Sequence, residues 1–238
     1  MIDLSPLAIP ASMRLLSPRL PSPPATVLEV GCGRGALAAE LQRRGYAVTG
    51  VDPAPDSVAA ARARGVTVVA ERFEEYGGGT FDVVLFTRSL HHVEDLAVTL
   101  DAALRHLAPG GAVVLEEFAT DGITGPAAAF VYDTLEILAA AGVAAGRERE
   151  HSDPFDQWRS DRAHLLTRAE MLAGLEKRLT LGPVTPAPTL WRMIASQLTG
   201  PDPAAAAAIA RSLQDIETRR IAAGELPALG FAVAGRIA

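Results

Sequence analysis

Between residues 26 and 118, short apolar runs alternate with amphipathic stretches. The runs predict five strands, at residues 26–30, 47–51, 66–70, 82–86 and 112–116, and the stretches between them predict helices at residues 36–44, 55–64 and 96–107. The strand runs are largely apolar instead of alternating with polar residues, which is typical of strands covered on both faces. The pattern therefore predicts an α/β protein with a parallel, doubly wound sheet.

After Phe118 this alternation stops. The chain then predicts helices at 126–145 and 167–177, a polar connection at 155–158, a strand at 178–184, an element of either type at 189–198, a helix at 203–223 and a last strand at 230–237. Residues 119–178 thus form a predicted helical insertion before the sixth strand, within one domain spanning 25–238. Residues 1–24 contain six prolines, which predict an N-terminal arm with only a short helical turn at 12–16.

The composition places the chain among globular proteins, with 49% hydrophobic and 21% charged residues in 238. Its apolar runs are shorter than the roughly 20 residues needed to span a bilayer, and the start of the chain has no basic-then-apolar signal pattern. We therefore expect a cytoplasmic protein with no membrane partner. The formal charge of −6 disfavours a nucleic-acid partner, because a phosphate backbone would repel the chain.

Cysteine and histidine usage gives no support for a metal centre. Cys32 is the single cysteine, which excludes an internal disulfide and a cysteine-built metal cage. The histidines do not have the spacing of metal ligands on a helix. No metal is expected.

The first predicted strand runs into Glu29-Val30-Gly31-Cys32-Gly33-Arg34-Gly35 and then directly into a helix. Glycines at such a turn permit left-handed torsions and let a ligand approach the backbone. Asp52 ends the second strand, where nucleotide-binding proteins place a carboxylate that binds ribose hydroxyls. This arrangement predicts a nucleotide-like ligand, but it also satisfies the dinucleotide fingerprint, with Ala36 in the last glycine position.

Glu29 favours S-adenosylmethionine over NAD. A carboxylate inside an apolar strand needs a hydrogen-bond donor, and S-adenosylmethionine carries an ammonium group whereas NAD does not. Glu29 could instead hold backbone amides of the loop. In addition, Glu29 and Asp52 make the loop negative with only Arg34 opposing them, which suits a cationic sulfonium better than a pyrophosphate.

Several motifs together resemble the class I S-adenosylmethionine-dependent methyltransferases, in particular the small-molecule branch that includes ubiquinone and menaquinone biosynthesis enzymes. They are Val27–Gly35, Val51-Asp52-Pro53, Ala70–Glu74, Phe81–Val84, Ser89-Leu90-His91-His92-Val93 and Leu107–Gly111. The resemblance covers roughly residues 25 to 118. It implies a Rossmann-like sheet of seven strands with the last antiparallel, and substrate-specific parts in the insertion before the sixth strand.

The resemblance also implies a set of cofactor-binding residues. The amino-acid part of S-adenosylmethionine would lie on Glu29 and the backbone of Gly31, Cys32, Gly33 and Gly35, the ribose on Asp52, and the adenine on Pro53, Glu71, Arg72 and Phe73. Thr87 and Arg88 would approach the methionine part. Glu71 departs from the aspartate that the family often has at its position.

Candidates for the methyl-acceptor site follow the fourth and fifth strands and lie in the later helices. His91 and His92 are the candidate catalytic bases, or one of them is structural. Glu117 ends the fifth strand and is a candidate substrate-binding residue. Four further residues are either core residues or acceptor-binding residues: Tyr132, Trp158, His164 and Trp191.

The sequence thus predicts methyl transfer from S-adenosylmethionine to a small-molecule acceptor at oxygen, nitrogen or carbon. Two alternatives stay open. An NAD(P)-dependent oxidoreductase would need neither Glu29 nor the Leu107–Gly111 motif. A non-catalytic protein that binds S-adenosylmethionine would keep the same cofactor residues, because methyl transfer by in-line displacement requires mainly alignment of the acceptor.

Overall fold

The computed structural model describes residues 3–146, 148–200 and 202–237. The chain divides into two compact units. The sheet unit comprises Ala11–Glu117, Ala169–Thr185 and the chain from Phe231 onward, and the helical unit comprises the chain up to Pro10, Phe118–Arg168 and Pro186–Gly230.

The strands form one sheet in the order β3-β2-β1-β4-β5-β8-β6, and β7 pairs with β8. Neighbouring strands from β3 to β5 are parallel, whereas β6 and β8 are antiparallel. The bounds are β1 (Thr26–Val30), β2 (Ala47–Val51), β3 (Thr67–Val69), β4 (Phe81–Thr87), β5 (Leu107–Phe118), β6 (Thr180–Leu181), β7 (Thr185–Ala187) and β8 (Gly230–Arg236). The predicted Rossmann-like sheet with an antiparallel last strand is confirmed. The short strand β7 brings the sheet to eight strands within the described residues, instead of the seven that the resemblance implied.

Nine α-helices lie in the described residues. They are α1 (Ser5–Leu16), α2 (Ala36–Arg43), α3 (Pro55–Ala63), α4 (Leu96–Arg105), α5 (Gly125–Ala140), α6 (Pro154–Arg162), α7 (Arg168–Glu176), α8 (Leu190–Ala195) and α9 (Pro203–Ala222). The chain also makes 3-10 turns at Phe73–Glu75 and Leu90–His92. In the sheet unit, Gly45 and Gly65 follow the ends of α2 and α3 with positive φ values of 94° and 78°.

Three predicted elements differ from the structure. The N-terminal segment forms the 12-residue helix α1 despite Pro10, and it buries Met13 and Leu16. The expected polar connection at 155–158 is part of α6, because Asp153 caps that helix by accepting from the backbone N–H groups of Phe155 and Asp156 at 2.8 and 3.1 Å. Residues 109–111, between the predicted helix at 96–107 and the predicted strand at 112–116, lie inside β5, whose pairing with β4 is irregular near its start.

The predicted insertion at 119–178 does not coincide with one compact unit. Its helices α5 and α6 belong to the helical unit together with α8 and α9. Helix α7 belongs almost entirely to the sheet unit, since that unit resumes at Ala169. The helical unit is therefore assembled from two separate stretches after β5, which sequence periodicity alone does not indicate.

A buried carboxylate caps the N-terminus of the short helix α8 in the helical unit. Glu217 of α9 is fully buried, and its Oε1 accepts from the backbone N–H groups of Thr189 and Leu190 at 2.8 and 3.0 Å. Its Oε2 accepts from Trp191 N at 2.8 Å. Burial raises the pKa of this carboxyl group, and the three backbone donors oppose that shift.

Replacing Glu217 with glutamine is expected to lower the free energy of unfolding by about 2 kcal/mol, because an amide nitrogen replaces one acceptor of buried N–H groups. Urea unfolding followed by tryptophan fluorescence measures the loss. Glu225→Gln is the matched control, since Glu225 is exposed and pairs with Arg220 only at 3.7 Å, so a change below about 0.5 kcal/mol is expected there. Equal losses in the two variants would contradict a capping role for Glu217.

Two features are absent from the described residues. No helix there is long and apolar enough to cross a membrane. The same residues contain no cluster of three histidine, cysteine, aspartate or glutamate side chains that could hold a metal ion.

Candidate cofactor site

A cavity of about 380 Å³ opens at the carboxyl ends of β1, β2 and β4 in the sheet unit. Open parallel sheets bind ligands at this edge. Seven predicted site residues line it: Gly31, Asp52, Pro53, Arg72, Phe73, Arg88 and His92. Seven further lining residues were missed by the sequence analysis: Val30, Val51, Glu74, Ser89, Val93, Glu94 and Thr99.

The glycine loop after β1 adopts torsions that favour glycine. Gly31, Gly33 and Gly35 have φ values of 67°, 53° and 72°. A Cβ on Gly31 would lie 2.7 Å from the Cβ of Ser89, and one on Gly35 would lie 2.8 Å from that of Ala61. The glycines therefore serve both the turn and close packing against the neighbouring elements.

Most N–H groups of this loop donate to the protein itself. Gly31 N and Cys32 N donate to Val51 O at 2.8 and 3.3 Å, and Gly35 N donates to Cys32 O at 3.0 Å. Gly33 N donates to Asp52 Oδ2 at 2.8 Å. The loop is thus closed by its own hydrogen bonds and does not present a row of amides to an anion.

Glu29 carries a buried acceptor that is not satisfied by the described residues. Its Oε1 accepts from Thr87 Oγ1 at 3.2 Å, whereas its Oε2 has no hydrogen-bond partner among them. Burial raises the pKa of Glu29 to about 8, against weaker opposing effects of the Thr87 hydroxyl, the Arg88 charge and the nearby backbone N–H of Ala38. A buried carboxylate oxygen of this kind fits a cationic donor, such as the ammonium group of an amino acid.

Asp52, directly after β2, is hydrogen-bonded to the glycine loop that follows β1. Besides accepting from Gly33 N, it accepts from Ala54 N at 2.9 Å through Oδ1. An ionised carboxylate has about four lone-pair sites, so two of them remain for hydroxyl donors of a ligand. Asp52 is 7% exposed and lines the cavity, as a ribose-binding residue requires.

Cys32 and Pro53 flank these carboxylates. Pro53 lies on the cavity wall. The Cys32 side chain is buried against Gly50, where a Cβ would come within 2.5 Å of Cys32 Sγ. Burial raises the pKa of the thiol to about 12, so it stays neutral, and only its backbone remains as a candidate ligand contact.

Glu74, and not the predicted Glu71, provides the acidic wall after β3. Glu74 lines the cavity and accepts from Thr99 Oγ1 at 2.6 Å, whereas Glu71 does not line it. Arg72 is a wall residue that lies 3.4 Å from Glu94 and 3.9 Å from Glu74. The 3-10 turn at Phe73–Glu75 brings Glu74 into this position, which the match of Glu71 to the family's aspartate did not indicate.

The end of β4 contributes Thr87 and Arg88. Thr87 donates to Glu29 behind the glycine loop, and neither of these two residues lines the cavity. Arg88 has a φ of 54°, a left-handed torsion that is rare for a residue with a side chain. Its N–H donates to Glu116 O at 2.8 Å, and its guanidinium lies 3.8 Å from the Glu116 carboxylate and lines the cavity.

The two candidate bases occupy different environments. His92 is exposed and lines the cavity, whereas His91 is 4% exposed and does not. His91 Nδ1 lies 2.6 Å from Glu117 Oε2, and the two histidine rings are 4.0 Å apart. The geometry supports His92 as the histidine that faces a ligand and His91 as a structural partner.

Glu117 was expected to bind substrate, but its carboxylate is engaged by the protein. Oε1 accepts from Ser89 N and Leu90 N at 2.8 and 2.7 Å, and Oε2 binds His91. Its side chain has no exposed surface. The structure therefore gives no support for a direct substrate contact.

Of the four acceptor candidates in the helical unit, Trp158, Trp191 and His164 do not line the cavity on which Tyr132 lies. Both tryptophans are fully buried, and Trp158 Nε1 donates to Thr120 O at 3.1 Å. His164 is exposed. For the tryptophans the core interpretation accounts for the geometry, because apolar rings of this size dominate packing.

Tyr132 lines a cavity of about 480 Å³ within the helical unit. Its hydroxyl donates to Asp161 Oδ2 at 2.6 Å, and burial raises its pKa to about 12, so it remains a donor at neutral pH. Asp161 and Arg162 lie on the same wall. No sequence motif indicated that Tyr132 and Asp161 would meet, because they are 29 residues apart and on different helices.

The sheet order, the glycine loop after β1 and the carboxylate after β2 define the class I S-adenosylmethionine-dependent methyltransferase fold. A family model described as a methyltransferase domain matches residues 7–178. The chain belongs to this methyltransferase family, as the sequence motifs predicted.

Similar proteins agree with this assignment. The chain is 41% identical over 99 residues to a ubiquinone biosynthesis O-methyltransferase of Pseudomonas paraeruginosa, a match covering 38% of this chain and 43% of the relative. The chain thus matches less than half the length of that relative. Two solved structures share the fold: an S-adenosylmethionine-dependent methyltransferase of Mesorhizobium loti (17% identity, TM-score 0.58, 93% and 95% of the two chains) and one of Thermotoga maritima (15% identity, TM-score 0.58, 97% and 89%).

Proposed function

We propose that the chain binds S-adenosylmethionine and transfers its methyl group to a small-molecule acceptor, releasing S-adenosylhomocysteine. The observation that carries this proposal is the buried Glu29 Oε2, which lacks a partner among the described residues beside the glycine loop. A carboxylate there is stabilised by an ammonium group, which the amino-acid part of this cofactor provides. Membership of the methyltransferase family supports the same cofactor.

The loop geometry argues against the NAD(P)-dependent alternative. A pyrophosphate is held by N–H groups of a glycine loop and by positive potential. Here Gly31, Cys32, Gly33 and Gly35 donate within the protein, and Asp52, Glu74 and Glu94 outnumber Arg72 and Arg88 on the cavity wall. This environment favours a ligand without phosphate.

In this proposal, the residues of the chain bind the cofactor and orient it for the transfer. Bound S-adenosylmethionine supplies an electrophilic methyl group on a positively charged sulfur. Glu29 would hold the amino-acid part, Asp52 the ribose, and Pro53 with Phe73 the adenine. His92 is a histidine on the cavity wall, and it would accept a proton where the acceptor must lose one.

The acceptor would be bound by residues of the insertion, whose chain begins at the end of β5. Tyr132, Asp161 and Arg162 are among the polar residues of the helical unit that support such a role, because they line a cavity within that unit. An uncharged or cationic small molecule suits the formal charge of −6 better than a nucleic acid does. A cytoplasmic location belongs to the same proposal, since a single cysteine needs no oxidising compartment.

Calorimetry of the full chain with S-adenosylhomocysteine and with NAD tests the cofactor. S-adenosylhomocysteine is expected to bind and to stabilise the fold by about 2.7 kcal/mol at a hundredfold excess over its dissociation constant, whereas NAD should do neither. Binding of NAD alone would refute the proposal. Incubation with S-adenosylmethionine and a metabolite extract should then release S-adenosylhomocysteine, and binding without release would favour the non-catalytic alternative.

A further inference from the structure

A buried carboxylate organises the turn that follows β4. Glu117, at the end of the neighbouring strand β5, accepts from Ser89 N and Leu90 N with one oxygen and binds His91 Nδ1 with the other. The three distances are 2.8, 2.7 and 2.6 Å, and neither Glu117 nor His91 is exposed by more than 4%. Because a carboxylate oxygen accepts, Nδ1 of His91 carries the proton of this hydrogen bond.

The residues held in this way border the cofactor cavity. Ser89 and His92 both line it. The Ser89 hydroxyl donates to Val30 O at 2.7 Å, so the turn is also tied to the end of β1. His92 lies against the ring of His91 with centroids 4.0 Å apart. The orientation of a cavity-lining histidine thus depends on a buried one, and the buried one depends on Glu117.

The backbone makes this support necessary. Arg88, directly before the turn, has a φ of 54°, a conformation that costs energy in a residue other than glycine and persists only where its surroundings enforce it. The next two residues, Ser89 and Leu90, are those whose N–H groups donate to Glu117. Without the carboxylate, the buried N–H of Leu90 and the partly buried N–H of Ser89 would lose their acceptor next to a strained residue.

We propose that Glu117 and His91 are positioning residues that hold His92 and Ser89 against the cofactor cavity. The proposal rests on the proposed function, because it treats this cavity as the S-adenosylmethionine site. In this proposal Glu117 holds the turn after β4 and does not contact the substrate. His91 orients His92 and does not transfer a proton.

Paired variants of His91 separate positioning from packing. The side-chain amide of asparagine can donate where Nδ1 does, so His91→Asn should keep S-adenosylhomocysteine affinity within about twofold, whereas His91→Leu, of similar bulk but without a donor, should weaken it about tenfold. Glu117→Gln should also weaken it about tenfold, because its amide group donates toward His91. Calorimetry on the full chain gives the affinities.

Side-chain ¹⁵N spectra of the histidines supply a readout that packing alone would not move. The ligand-free wild type should carry the His91 proton on Nδ1, and Glu117→Gln should move it to Nε2. Addition of S-adenosylhomocysteine should shift the His92 signals in the wild type and in His91→Asn, but much less in His91→Leu.

The results distinguish the two proposals. Wild-type affinity in His91→Leu, equal weakening in His91→Asn and His91→Leu, or a His91 tautomer unchanged by Glu117→Gln would overturn the positioning role. Failure of the wild type to bind S-adenosylhomocysteine would overturn the proposed function, while the tautomer in the ligand-free chain would still test the Glu117–His91 bond. Should Glu117→Gln fail to fold, the His91 pair decides, because both variants leave Glu117 bound to Ser89 N and Leu90 N.

Discussion

Replacing Glu29 with glutamine is expected to weaken S-adenosylhomocysteine binding at pH 8 by about 10- to 100-fold, because a buried charge-assisted hydrogen bond to the ligand's ammonium group is lost. In the wild type, binding should strengthen by up to about tenfold per pH unit as pH approaches 8 from below. The cause is the raised pKa of Glu29, about 8, so that below this pH the ligand must displace a proton. Calorimetry in buffers of different ionisation enthalpy measures both the affinity and the released proton.

The stability of the ligand-free chain gives the same group an independent test. Glu29 has a pKa of about 8 when folded and 4.5 as its ordinary value, so the folded state holds one more proton between these values. Stability should therefore fall as pH rises from 4.5 to 8, by at most about 1.4 kcal/mol per unit, and Glu29→Gln should flatten this dependence. Glu94→Gln is the control, since Glu94 is a largely exposed carboxylate of the cavity. An identical pH profile in Glu29→Gln and wild type would contradict the raised pKa of Glu29.

Replacing Asp52 with asparagine is expected to weaken S-adenosylhomocysteine binding by about 10- to 100-fold and to lower stability by about 1 kcal/mol. Asparagine keeps only one of the two carboxylate oxygens. The lost oxygen served both a backbone N–H, that of Gly33 or Ala54, and the ribose site. Asp56→Asn is the matched control, because Asp56 is exposed in the first turn of α3. Calorimetry and urea unfolding measure the two effects.

A ligand without the amino-acid group separates Asp52 from Glu29. 5′-Methylthioadenosine keeps the adenine and ribose of the cofactor, so Asp52→Asn should weaken its binding whereas Glu29→Gln should leave it unchanged. Equal effects of the two substitutions on this ligand would mean that they disturb the loop as a whole instead of binding separate parts of the cofactor.

The parallel strands and the part of the site formed by the glycine loop and Asp52 could be predicted from the sequence, because local patterns determine them. Strands β1 and β2 begin and end at the predicted residues, and the positive φ values of Gly31, Gly33 and Gly35 follow from their residue type. The predicted methyltransferase family is confirmed by the family model. Buried apolar strands and glycine turns are encoded over a few neighbouring residues, so periodicity and motif spacing suffice.

The part of the site that follows β3 and β4 depends on contacts between residues that are distant in the sequence. Glu117 meets Ser89 across 28 residues, and its position at a strand end suggested substrate binding although its oxygens are used by the turn. Glu74 replaces Glu71 on the wall because of a 3-10 turn that sequence periodicity does not indicate. For Trp158 and Trp191 both a core and a pocket stayed open, since an aromatic residue does not encode which of the two surrounds it.

The link between Glu217 and α8 also bears on the order in which the helical unit folds. Helix α8 has only six residues, far fewer than the roughly 12 that an isolated helix needs in water. The acceptor for its first N–H groups lies 26 to 28 residues later in the chain, on α9. In a growing polypeptide, the first N–H groups of α8 therefore lack this acceptor until α9 has been synthesised and has docked.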